Sequence, residues 1–79
     1  MRAIVRISLN DDTGSALRNQ FAPILEGVGL TRISTATWEG DVDEGDLRRA
    51  MSRFWNTLAN HTGPAHLDHF WMYVDSPAT

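Results

Sequence analysis

Residues 30–42 read LTRISTATWEGDV, and the place where their alternation fails decides the fold. Thr, Ile and Trp favour the pleated, half-buried surface of a sheet, so the stretch reads as extended chain. A strand shows one face at every second residue. Ile33 falls at an odd position, whereas Ala36, Trp38 and Val42 fall at even ones. One unbroken strand would send Ile33 and Trp38 to opposite sides. The spacing predicts a bulge or tight corner near Ser34 and Thr35, which makes two short strands of one run.

Each flank of this stretch carries a helical pattern. On the amino-terminal side, Leu17, Phe21, Ile24, Leu25 and Val28 recur at helical spacing and predict a buried stripe. Asp12, Thr13 and Ser15 are candidate N-caps, and Gly27 and Gly29 supply the end signal. Pro23 removes one helical hydrogen bond and predicts a kink near Asn19 to Ala22. On the other side Asp43 opens a second helix, with Glu44 and Asp46 in its first turn, where the helix dipole favours anions. Leu47, Ala50, Met51, Phe54 and Leu58 form its apolar stripe, and Gly63 and Pro64 mark its stop. Arg48, Arg49, Ser52, Arg53 and Asn56 take its wet side.

The outermost segments are strands. Ala3, Val5, Ile7 and Leu9 alternate with Arg2, Ile4, Arg6 and Ser8. His66 to Val74 ends apolar on both faces, with Phe70, Met72 and Val74 on one and Trp71 and Tyr73 on the other. A strand apolar on both sides needs two covering layers, and two helices cover only one face of a small sheet. The order β-α-β(β)-α-β predicts a ferredoxin-like α+β fold, an antiparallel sheet with two helices on one face. Residues 1–75 are expected to form one domain, with 76–79 as a frayed tail.

Composition narrows the function classes. Seventy-nine residues leave no room for a second core, and oligomerisation is a common way to stabilise so small a domain. The sequence has no Cys, which excludes disulfides, thiolate nucleophiles and Cys-based metal sites and suits a cytoplasmic location. The first ten residues carry no continuous apolar run of signal or membrane length, so no membrane association is expected. A net charge of −3 argues against a general polyanion binder. All seven basic residues are Arg, which is read as a mark of base composition rather than of chemistry.

Several groups of residues have the chemistry of a site. Asp11 and Asp12 have metal-ligand chemistry but stand where helix-capping acids belong. Asp41, Asp43, Glu44 and Asp46 lack the spacing of a Ca²⁺ loop and read as a solvated helix start. His66, Asp68 and His69, with His61, suggest zinc, yet in a regular strand His66 and His69 point to opposite faces. Trp71 and Tyr73 offer stacking surfaces for bases, but the basic-aromatic signature strand of RNA-recognition sheets is missing. Arg2, Ile4, Arg6, Trp71 and Tyr73 are expected on the face that the helices leave bare. That face predicts a homodimer, with Arg2 and Arg6 reaching acids such as Asp68 or Asp75 of the other copy.

The run Leu25-Glu26-Gly27-Val28-Gly29-Leu30, the segment from Ile33 to Gly40 ending Thr37-Trp38-Glu39-Gly40, and the acidic turn before Leu47 resemble the small CRISPR-associated adaptation subunit and the related virulence-associated protein D toxins. That family shows a G-(L/V)-x-x-x-Q-x-S-V-F-E pattern here, and the resemblance spans about residues 1 to 60. It implies a ferredoxin-like fold that dimerises through its bare sheet faces. In active members it also implies Mg²⁺-dependent attack on phosphodiesters from an Asp at the end of the first strand. In this sequence Ser8 occupies that position, and Ser34 and Ala36-Thr37-Trp38 replace the Gln and Ser-Val-Phe. A neutral hydroxyl is a poor Mg²⁺ ligand. The expected function is therefore a non-catalytic homodimeric interaction module, regulatory or from a mobile element such as a phage, with an unidentified protein partner. The alternative is a metal-dependent endoribonuclease or nucleic-acid-binding relative of the adaptation subunit, using Ser8, Asp11 and Asp12.

Overall fold

β1 (Arg2–Asn10) is the strand on which the other elements assemble. Its odd residues Ala3, Val5 and Ile7 are buried, as strict alternation requires. In the computed structural model, which describes residues 1–75, β1 is followed by a turn at Thr13–Ser15 and by α1 (Ala16–Glu26). The hairpin β2 (Thr31–Ser34) and β3 (Thr37–Asp41) comes next, then α2 (Glu44–Asn60) and β4 (His66–Asp75). The four strands form one antiparallel sheet in the order β2-β3-β1-β4. This is an α+β ferredoxin-like fold. The tail expected to fray, 76–79, lies outside the described residues.

The break in the organising stretch is real. Residues 35 and 36 form the turn, and the β2–β3 register shifts between Arg32 and Ser34. Trp38 is thereby turned into the core at 0% exposure, while Ile33 stays 57% exposed. Gly40 follows for a steric reason: a Cβ there would lie 2.6 Å from the Gly29 carbonyl oxygen, with no side chain in between to move aside. Gly29 itself sits at φ +106°, a conformation other residues rarely adopt.

Both helices cover the same face of the sheet. Leu17, Phe21 and Leu25 of α1 and Leu47 and Phe54 of α2 join Ala3, Val5, Ile7 and Trp38 in one buried cluster. The expected packing of the α2 stripe on the odd face of β1 is thus observed. Phe54 is its aromatic centre, with ring centroids 4.4 Å from Phe21 and 5.1 Å from Phe70. Pro23 is contained in a single α1, whose end is closed by the Gly27 N–H donating to the Pro23 carbonyl. Asp43 caps α2 by accepting from the Asp46 N–H at 3.1 Å.

One expectation about β4 needs correcting. Its second half is apolar on both faces, but the helices leave Met72 and Val74 each 38% exposed on the face they cover. α2 does not reach far enough across the sheet edge, so this part of β4 is open on both sides.

Candidate functional site

The uncovered face of the sheet follows from β1 parity. The even residues Arg2, Ile4, Arg6 and Ser8 stand opposite Asp75, Tyr73, Trp71 and His69 of β4. All of these side chains lie on the side away from the helices. The five residues expected together, Arg2, Ile4, Arg6, Trp71 and Tyr73, do share this face. Trp71 and Tyr73 are 42% and 48% exposed, and their rings stack with centroids 6.3 Å apart and planes 14° from parallel. The Arg6 guanidinium lies 5.6 Å from the Trp71 ring centroid, a cation–π contact that carries the stack onto β1. Arg2 is paired within its own chain, to Glu39 of β3.

At the other end of this face the structure gathers residues that sequence reasoning kept apart. The β1–β4 register shifts between Ser8 and Leu9, so that His69 faces Ser8 and His66 faces Asn10. Asp68 is the extra residue of a β-bulge. His66 and His69 therefore stand opposite two even residues of β1, on one face rather than on opposite faces. Ser8, Asp68 and His69 are neighbours, and the Ser8 hydroxyl donates to the Asp68 carboxylate at 3.3 Å. That bond orients the hydroxyl toward an acceptor and not toward a histidine base, so the group lacks the relay of a nucleophilic triad. His66 Nδ1 lies instead 3.1 Å from its own neighbour, the Pro64 carbonyl oxygen.

Asp12, Asp43, Glu44 and Asp46 are engaged by the backbone or by arginines. The Asp12 carboxylate accepts from the Leu17 N–H at 2.8 Å and the Arg18 N–H at 3.0 Å, satisfying two donors at the start of α1. It caps the helix from outside, across a turn in which Ser15 takes a left-handed conformation and receives Arg18 at its hydroxyl. Asp11 also has a positive φ, +57°, and its side chain is exposed. Glu44 pairs with Arg48, and Asp46 with Arg49. Among the described residues no three His, Asp or Glu side chains are grouped as a metal site requires.

Among the described residues two concavities flank the sheet and a third lies beside the first. One of about 250 Å³ opens at the end of β1 and is lined by Ser8, Asp12, Arg18, Phe21 and Trp38. It brings Ser8 and Asp12 of the alternative catalytic set to one cleft, while Asp11 lines a neighbouring one with His61. The other is an apolar groove of about 400 Å³ between α2 and the second half of β4, with Met1, Leu47, Met51, Met72 and Val74 on its walls. No helix among the described residues is long and apolar enough to cross a membrane. The sequence matches no protein-family model, and no curated protein matches it.

Proposed function

We propose that this chain is a non-catalytic homodimeric interaction module of the cytoplasm, regulatory or mobile-element in origin, whose partner-binding surface is the bare sheet face. The observation that carries the proposal is the exposed Arg6–Trp71–Tyr73 array beside Ile4. An aromatic ladder flanked by arginine, on a face no helix covers, has the composition of an interface centre. The engagement of Asp12 by helix N–H groups supports the same reading, because it leaves that carboxylate poorly disposed to hold Mg²⁺. The second copy meets the first along β4, at Trp71 and Tyr73, and Arg2, Ile4 and Arg6 of β1 extend the bare face beside that contact.

Sedimentation across micromolar concentrations tests the proposal. A concentration-dependent dimer is expected, and Trp71→Ala should weaken it by about 2 kcal/mol or more, as removal of a central aromatic does. A parallel assay on RNA and DNA with Mg²⁺ or Mn²⁺ should show no cleavage. Metal-dependent cleavage lost in Asp11→Asn or Asp12→Asn would falsify the non-catalytic reading and establish the nuclease alternative.

A further inference from the structure

β4 has a property that a bare sheet face does not explain. Ile7 donates its N–H to the Ala36 carbonyl at 2.9 Å, so odd residues of β1 hydrogen-bond toward β3 and even residues toward β4. Arg6, Ile4 and Arg2 are opposite Trp71, Tyr73 and Asp75, which aims the backbone groups of those three β4 residues inward. The N–H and C=O groups of Phe70, Met72 and Val74 consequently point outward. They lie along an edge that pairs with no strand among the described residues. Around these outward groups Met72 and Val74 are exposed on one face and Trp71 and Tyr73 on the other. Stacking of two sheets face on face would cover only the second pair.

We propose that the second copy pairs with this edge, β4 against β4 and antiparallel, with Met72 on the two-fold axis. This rests on the self-association reading above and specifies how the copies meet. The register is chosen by complementarity. With Met72 opposite Met72, Trp71 of one copy stands opposite Tyr73 of the other, Phe70 opposite Val74, and His69 opposite Asp75. Aromatic meets aromatic on the bare face, apolar meets apolar on the helix face, and an imidazole meets a carboxylate at each end. Moving the axis to Trp71 sets His69 against Tyr73, and moving it to Tyr73 sets Trp71 against Asp75. Only the Met72 register matches every pair. It also places the outward N–H and C=O groups of Phe70, Met72 and Val74 in hydrogen-bonded positions, as antiparallel pairing requires. The result is one eight-stranded sheet whose bare face carries both Arg6–Trp71–Tyr73 arrays side by side, and in which Val74, on the wall of the apolar groove, meets the other copy's Phe70.

The sequence contains no cysteine, which makes crosslinking a clean test. Residues directly opposite in a hydrogen-bonded pair have Cα atoms about 5.5 Å apart, inside the roughly 4.4–6.8 Å span of a disulfide. Oxidised Met72→Cys should therefore form a covalent dimer. Val74→Cys should not, because the two copies of that residue would be offset by about 13 Å along the strands. Met72→Pro removes an outward N–H without touching the β1 ladder, and it should sediment as a monomer at concentrations where the parent is dimeric. Ile4→Glu, on the middle of the bare face, should leave the dimer intact. A dimer that survives Met72→Pro but is broken by Ile4→Glu overturns the edge pairing and keeps self-association, through stacked faces. A parent that stays monomeric at every concentration overturns both. If Met72→Pro does not fold, the Cys pair decides: equal crosslinking at 72 and 74, or none at 72 in a dimeric parent, rejects the register.

Discussion

The sheet ends on one side in β2, four residues long, and on the other in β4, ten residues long. All of β2 is exposed, and its ladder with β3 is interrupted between Arg32 and Ser34. Arg32 folds back along its own strand, donating from Nε to the Ser34 carbonyl at 3.2 Å and lying 5.9 Å from the Trp38 ring centroid. A short, bulged edge carrying a charge is a poor template for another strand. β4 protects only its first half in this way, with the bulge at Asp68 and with His66 and His69. From Phe70 to Val74 it has neither charge nor bulge, and both of its faces are apolar. Within one small domain, then, one edge resists pairing and half of the other invites it.

The largest test of this contrast is Phe54→Ala. Phe54 links α2 to β4 through Phe70, so its loss should cost about 3–5 kcal/mol and loosen β4 before β2. Thermal denaturation with hydrogen exchange by residue reads both effects, and a melting temperature within a degree or two of the parent refutes the packing role. An intermediate effect is expected at Gly40→Ala, whose added methyl meets the Gly29 carbonyl. Overpacking of this kind costs about 1–3 kcal/mol. Here the damage should fall on the β2 side while dimerisation, corrected for folding, is unchanged. The smallest effect belongs to Ile33→Thr on the exposed β2 edge: stability within about 0.5 kcal/mol of the parent and an unaltered sedimentation profile. Weakened association in that variant would move the interface to β2 and reverse the comparison.

The elements were legible because local pattern and tertiary burial agree. The parity clash between Ile33 and Trp38 located the β2–β3 hairpin, and the Leu47–Ala50–Phe54 stripe was legible because its spacing matches the odd face of β1. The ends of β4 were less legible, for two physical reasons. A single inserted residue at Asp68 reverses the parity of everything before it, and no Gly or Pro marks the place. Strict alternation therefore puts His66 and His69 on opposite faces and hides the cluster of Ser8, Asp68 and His69. Met72 and Val74 read as buried because an apolar run says nothing of how far a helix extends across a sheet. At Asp12 a capping role is legible in the sequence, but its reach across a turn to the Leu17 and Arg18 amides depends on the left-handed Ser15.

The three tryptophans occupy three settings: Trp38 is fully buried, Trp55 lies 46% exposed on α2, and Trp71 is 42% exposed on β4. Trp38 also donates from Nε1 to the Glu26 carboxylate at 3.4 Å, so its emission is tied to the closure of α1 over the hairpin. Each indole thus reports a different event without any added dye. A small neutral quencher such as acrylamide should reach Trp55 and Trp71 in the folded monomer and Trp38 only after unfolding. As the concentration rises, shielding should appear in the Trp71 component alone, and single Trp→Phe replacements would separate the optical record of folding from that of assembly.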